Sequence, residues 1–374
     1  FGGQLLQWRD NTPPALAPPS KINEGPPPPP SLPKHNHSPP QIKVLIRTGL
    51  SDLSVSRLTS RVQWGLPVPD PPEGCPPHSV YVWLDALANY LTVAGGLEAG
   101  GGVPASWPAD VHVIGKDITR FHCVYWPAFL MAAGLPLPAR IVAHSHWTVD
   151  RVKMSKSLGN VVDPNHLRDT YGVDPVRYFL LRDGGLADDG DFSEAALVSR
   201  HTNDLADVLG NLASRVTAKA LLPSQAIPKP GEFTAQDSAF VRMVEDTVGT
   251  AADHYENVRV GDALEAVLAC LRATNRYFDA MAPWTLKPKA GDSDADAAAK
   301  HDRLSTVLYT TMEAVRVACI LLQPAIPESA GRFLSHVGVP AEERALEWAA
   351  VGKGAPGTPF AGSTKRLVLF PKMA

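Results

Sequence analysis

Proline is crowded at one end of this chain, and the crowding limits what its first fifth can become. Of the 36 prolines, 18 fall in the first 77 residues, and 12 of those lie between Pro13 and Pro40. Proline fixes φ, lacks an amide proton and is excluded from helix interiors and central strands. The run Pro26–Pro30 is therefore expected to be polyproline-II-like, with no face to bury. Residues 12–42 read as a proline-rich linker, and a PxxP ligand for a partner domain is the functional alternative. The rest of the chain is ordinary globular sequence. With 374 residues it suits two to three domains and a sizeable core. Motif-bearing, folded protein is expected from about Asp52.

Several function classes drop out. No uninterrupted apolar run approaches the ~18 residues of a membrane span, so no membrane partner is expected. The chain begins at Phe1 without a signal-peptide pattern, which reads as processing or a fragment. Cys75, Cys123, Cys270 and Cys319 lie far apart with no CxxC pair. That spacing argues against a disulfide framework and a zinc knuckle, and for a reducing compartment. Residues 1–180 carry 15 basic and 13 acidic side chains, and residues 181–374 carry 20 and 25. Neither half is the basic body of a nonspecific nucleic-acid binder. Any RNA contact must be a local patch using stacking and base-edge hydrogen bonds.

Strand and helix patterns alternate in the middle of the chain. Val80–Trp83 reads as a strand, Leu84–Val93 as a helix and Asp110–Gly115 as a second strand. Asp117 is placed to cap a helix running to about Ala133, with Phe121, Tyr125, Phe129 and Leu130 on its apolar face. Arg140–Ser145 reads as a third strand. The β-α-β-α-β order predicts a parallel sheet. Ligands of such sheets bind beyond the carboxyl ends of the strands, here Gly115–Asp117 and His144–Trp147. After Leu181 the pattern is helical throughout. Expected helices start at a Ser193 cap, span Ala235–Glu256, run from Gly261 to near Pro283 and from Ala297 to Gln323, and begin again at Pro327. Short connections between long amphipathic helices make an antiparallel bundle.

The sharpest motif is Lys153-Met154-Ser155-Lys156-Ser157, followed by Leu158-Gly159-Asn160. Lysines beyond a strand can meet a polyphosphate as point charges, and the serine hydroxyls can add hydrogen bonds. The bland alternative is a solvated basic turn. The full pentapeptide resembles the KMSKS signature of class I aminoacyl-tRNA synthetases. Further segments resemble the methionyl-tRNA synthetase family: "YVWLDALANY" (Tyr81–Tyr90), "GKDITRFHCVYWPA" (Gly115–Ala128), "NLASR" (Asn211–Arg215) and "APWTLK" (Ala282–Lys287). The resemblance covers about Leu53 to Pro327.

The resemblance implies a Rossmann-like parallel-sheet catalytic domain, present here as its C-terminal half, followed by an antiparallel helical-bundle anticodon-binding domain. It implies a methionine pocket of Trp83, Leu87, Tyr90, His122 and Trp126, with Asp85 shaping the site or capping its helix. A thioether is polarizable and gains from aromatic contact. Core packing is the alternative for each of these side chains. Gly115 and Asp117 match positions at the nucleotide, with Lys156 and Lys153 drawing charge onto the leaving pyrophosphate. Asn211, Arg215 and Trp284 match positions that read the CAU anticodon. Asn and Arg suit base edges, and Trp offers a stacking plate. A solvated helix face and a hydrophobic lid are the alternatives. The implied ligands are methionine, ATP with Mg²⁺ and tRNA(Met), with no protein-bound zinc.

One departure stands out. The family's HIGH signature is not found in this chain, and "HNHS" at His35–Ser38 lies among the prolines with no preceding strand. The chain is therefore expected to be the C-terminal part of a larger enzyme, inactive alone. A tRNA-binding module without catalysis is the other function class. The expected organisation is residues 1–51 as linker and connective-domain remnant, and 52–182 as the half catalytic domain. Residues 183–340 form the bundle and 341–374 a tail. Leu87 and Ser145, with "DLSVSR" and "HSHWTV", resemble mitochondrial members, implying a monomer of the mitochondrial matrix.

Overall fold

The computed structural model describes residues 16–17, 39–96, 102–184, 186, 188–361 and 367–373. Most of the linker expected at 12–42 lies outside them. Two compact units emerge, one of residues 1–146 and 186–188, the other of 147–185 and 189–374.

The first unit is built on a parallel sheet of order β1-β5-β4, with β1 at Leu16–Ala17, β4 at Val111–Gly115 and β5 at Arg140–His144. Ile141, Val142 and Ala143 of β5 are buried. On β4, His112 and Ile114 are buried while Val111 and Val113 are exposed, as period-2 alternation requires. A helix not anticipated from the sequence, α1 (Pro39–Thr48), buries Ile42 and Ile46 against Ile114, Cys123 and Ile141. Its two prolines open the first turn, where a missing amide proton costs nothing. The expected strand at Val80–Trp83 is corrected. The strand β3 is His78–Val80, and it pairs antiparallel with β2 (Ser56–Leu58) in a separate sheet. The helix α2 (Val82–Val93) starts directly after Tyr81.

The helix expected from Asp117 to Ala133 is broken into three pieces. A 3₁₀ turn (Lys116–Ile118) leads to a π-helical turn (Phe121–Tyr125) and then to α3 (Trp126–Ala132). The amide of Trp126 bonds the carbonyl of Phe121, one residue beyond α-helical reach. That insertion rotates the face: Cys123, Val124, Trp126 and Leu130 are buried, while Phe121, Tyr125 and Phe129 are only partly covered. Asp117 lies inside the 3₁₀ turn, with Gly115 at the cap position expected for Asp117, a further correction.

The second unit opens with β6 (Trp147–Val149) and β7 (Val152–Lys153), an antiparallel hairpin whose other side pairs with β8 (Gly190–Asp191). Helices α4 (Pro164–Tyr171) and α5 (Val173–Asp183) follow. Ser193 Oγ accepts the amide of Ala196 and starts α6 (Glu194–Arg200), which continues through a π-helical stretch (His201–Gly210) into α7 (Asn211–Val216). The bundle is completed by α8 (Ala235–Glu256), α9 (Val260–Met281), α10 (Asp294–Leu322) and α11 (Pro327–His336). Thr234 and Asp237 form a reciprocal capping box on α8. Tyr178 of α5 joins the bundle core. The compact division falls at Trp147.

By length and composition α10 is apolar enough to cross a membrane, yet its apolar window is wholly buried. It is the central helix of the bundle. Its buried charged pair, Glu313 and Arg316, is 2% exposed at both side chains. Glu313 also accepts the amides of Gly352 and Gly354, and Arg316 donates to the carbonyls of Trp348 and Ala350. Those four hydrogen bonds pin the segment after α11 onto α10.

Candidate functional site

In the first unit, aromatic side chains from α2 and from the broken helix meet. Leu87 is 1% exposed on the inward face of α2. Trp83 stacks flat on Phe121 at 3.7 Å and turns an edge of its contact toward His122. The hydroxyl of Tyr90 lies 2.8 Å from His122 Nε2, and His122 Nδ1 lies 3.0 Å from the carbonyl of Ile118. A carbonyl can only accept, so the proton sits on Nδ1 and Nε2 takes the Tyr90 hydroxyl proton. Burial lowers the His122 pKa, partly offset by the bond to Ile118, and burial raises that of Tyr90. Trp126, 3% exposed, donates its indole N–H to His112 Nε2 at 3.3 Å. The structure thus brings Trp83, Leu87, Tyr90, His122 and Trp126 into one cluster, with Phe121, His112 and Trp107 added to those read from the sequence. Asp85 is exposed in the first turn of α2.

The carboxyl ends of β4 and β5 are in register, Gly115 beside His144. Asp117 stands just beyond, its carboxylate 3.4 Å from His146 Nε2. A Cβ built on Gly115 would sit 2.8 Å from Asp117 Oδ1, so glycine leaves that carboxylate its place. His146 was not singled out from the sequence. The only signal was its position just past a strand end.

In the second unit, Asp150 and Arg151 both have positive φ and turn β6 into β7 as a two-residue hairpin. The Asp191 carboxylate fastens this turn, accepting the Arg151 amide at 2.8 Å and the Thr148 hydroxyl at 2.6 Å. The KMSKS loop follows. Asn160 Oδ1 accepts the amide of Ser155 at 2.9 Å, and its amide nitrogen donates to the carbonyl of Lys153. Gly159, at φ +66°, closes the turn. Met154 packs among Leu167, Phe179, Phe192 and Leu197, anchoring the loop. Lys153, Lys156 and Ser157 remain exposed, and the hydroxyls of Ser155 and Ser157 are 3.2 Å apart. A braced loop thus presents two lysines to solvent.

Farther along the bundle, Asn211 is exposed and Arg215 half-buried, one turn apart on α7. The Arg215 guanidinium lies 2.5 Å from Asp279 and 4.7 Å above the Phe278 ring. After α9, Ala282 adopts the left-handed conformation and a 3₁₀ turn (Pro283–Thr285) carries Trp284. Trp284 is 48% exposed, its ring 6.3 Å from Phe278. Arg215 and Trp284 therefore share Phe278 as a common floor. A cation, amide and half-open indole on one surface can read and stack an unpaired base.

The family described as tRNA synthetases class I (M) matches residues 31–217, and the anticodon binding domain of methionyl tRNA ligase matches residues 227–364. A methionine–tRNA ligase of Rhizobium meliloti is 46% identical over 80% of this chain and 55% of its own length. The mitochondrial methionine–tRNA ligase of Homo sapiens is 46% identical over 79% and 50%. The solved Mycobacterium tuberculosis methionyl-tRNA synthetase in complex with methionyl-adenylate superimposes with a TM-score of 0.83 at 39% identity. That superposition covers 99% of this chain and 67% of the other. The chain spans about half the length of the curated relatives it matches.

Proposed function

Because the chain belongs to the methionyl-tRNA synthetase family, we propose that the polypeptide carrying it activates methionine with ATP and transfers the product to tRNA(Met). The observation that carries this reading is the ring cluster of Trp83, Tyr90, His122 and Trp126 together with the braced KMSKS loop. ATP enters as its magnesium complex. The methionine carboxylate attacks the α-phosphorus, the bond to the bridging oxygen of the β-phosphate breaks, and pyrophosphate leaves. A ribose hydroxyl of the tRNA 3′ end then attacks the carbonyl of methionyl-adenylate and releases AMP. The attacking carboxylate is already ionised, so no strong general base is needed. What is needed is positioning and charge compensation.

Residues of this chain supply specific parts. Lys153 and Lys156 offset charge on the departing pyrophosphate. Asp117, held near His146, accepts hydrogen bonds from the ribose, with Gly115 keeping the backbone close. Trp83, Leu87, Tyr90, His122 and Trp126 surround the thioether side chain. Asn211, Arg215 and Trp284 read the anticodon. Residues 52–182 thus serve adenylate formation and 183–340 serve tRNA reading. The protein acts as a monomer in the mitochondrial matrix. Mitochondrial relatives at 42–46% identity support that compartment, and bacterial relatives are as similar.

The test is methionine-dependent ATP–pyrophosphate exchange and charging of a CAU-anticodon tRNA by the full-length protein. Both are expected. Exchange with no amino-acid preference, or tRNA binding with no exchange at all, overturns the reading, the latter in favour of a non-catalytic tRNA-binding module.

A further inference from the structure

Behind the ring cluster lies a side chain that none of the motifs draws attention to. His112 is the second residue of β4, turned inward by strand alternation and 6% exposed. Its imidazole packs against Tyr90, with ring centroids 4.4 Å apart, and against Trp107 at 5.9 Å. Its Nε2 takes the indole N–H of Trp126 at 3.3 Å. Trp107 in turn meets Trp126 edge-on at 5.8 Å and is itself pinned by a 2.9 Å bond from its indole N–H to the carbonyl of Pro136.

We propose that His112 is a positioning residue for methionine: by accepting the Trp126 indole proton and backing the Tyr90 ring, it sets the plane of the two rings that flank the thioether. This rests on the methionine-pocket reading above. A buried indole N–H needs an acceptor, and a group that loses its only acceptor moves to find another. Trp126 has one acceptor in this structure, His112, so its ring plane is tied to the strand rather than to the helix that carries it. Tyr90 is tied twice, through its ring to His112 and through its hydroxyl to His122. The accepting role requires a neutral imidazole. Burial, and then the neighbouring His122, push the His112 pKa down to about 4, so the ring is neutral at neutral pH, and the indole donor of Trp126 assigns its lone pair to Nε2. A residue in the core for its volume alone would be better served by leucine or phenylalanine, since a buried polar ring must be satisfied.

The experiment is steady-state ATP–pyrophosphate exchange by the full-length protein, with methionine and ATP varied separately. His112→Phe fills the space but cannot accept a hydrogen bond. It is expected to raise the methionine KM by about tenfold, the value of one net hydrogen bond, and to leave the ATP KM within about twofold. His112→Gln, whose amide oxygen can accept, is expected to recover most of the methionine KM. If His112→Phe does not fold, His112→Asn, too short to reach the indole, replaces it in the comparison with His112→Gln. Equal increases in both KM values, or no recovery by glutamine, show a merely structural histidine and overturn the proposal. Trp126→Phe separates the two levels of inference. If it leaves the methionine KM unchanged, the pocket reading itself fails. If it raises that KM while His112→Phe does not, only the role of His112 is lost.

Discussion

Trp284→Ala is the perturbation that most directly tests the tRNA surface. The indole stands on the short turn after α9, 48% exposed, with its covered side over Phe278. A tryptophan side chain offers up to about 250 Å², so roughly 120 Å² is covered here, worth at most ~3 kcal/mol at 25 cal/mol/Å². The variant is therefore expected to fold with a Tm lowered by no more than about 6–12 °C. The exposed half is the part available to a base. Stacking contributes about 1–3 kcal/mol per base, so kcat/KM for charging a CAU-anticodon tRNA should fall by roughly 5–150-fold. Adenylate formation needs no tRNA, so methionine-dependent pyrophosphate exchange by the same preparation should stay within about twofold. Trp284→Phe keeps a flat ring and should recover most of the charging. Equal loss of exchange and charging in Trp284→Ala would refute the reasoning, because it would make the indole a support for the bundle rather than a reader of RNA.

Three further outcomes are expected. Lys156→Ala should lower exchange by about 10²–10³-fold, the scale of removing one preorganised charge partner, with no change in Tm because the side chain is exposed. Glu313→Ala leaves the buried Arg316 with two carbonyls and orphans the amides of Gly352 and Gly354. Chemical denaturation should show a loss of about 3–5 kcal/mol. Asp237 is buried, which alone would raise its pKa, but Arg303, Tyr277 and Thr234 outweigh burial and hold it well below the usual carboxylate range. Its contribution to stability is complete above an unfolded-state pKa of about 3.9 and is lost as pH falls from there toward the lowered folded value. Asp237→Asn should flatten the acid limb of a Tm-versus-pH curve below about pH 4; an unchanged limb would assign acid sensitivity elsewhere.

The bundle was legible because its helices are long. Ala235–Glu256 is bounded as the periodicity reads, and α10 extends to Asp294 because Ser293 supplies a cap, accepting the amide of Asp296. Short elements were not. Val80–Trp83 is β-branched and aromatic, but four residues cannot distinguish a strand end from a helix start, and the helix begins at Val82. In α1, two isoleucines one turn apart were outweighed by the prolines around them. The π-helical turn at Phe121–Tyr125 defeats any fixed period, since one extra residue exchanges the faces. The residue types at the site were visible through resemblance, but their support was not. His112 reads as an ordinary inward strand residue, and His146 as a loop histidine. Only the contacts with Trp126 and Asp117 mark them out.

The clamp on α10 also constrains how the chain can be made. Arg316 and Glu313 are finished by groups at Trp348, Ala350, Gly352 and Gly354, which leave the ribosome well after α10 itself. The separation between Glu313 and the Gly354 amide is 41 residues. At synthesis rates of about 5–20 residues per second, the wait is roughly 2–8 s. During that interval the buried core of α10 carries a charge pair whose backbone partners have not yet been translated. Final packing of the bundle is therefore a late event in synthesis. An interrupted transcript ending before Trp348 would yield a chain with an unfinished polar core, a substrate for chaperones and proteases rather than a smaller working protein.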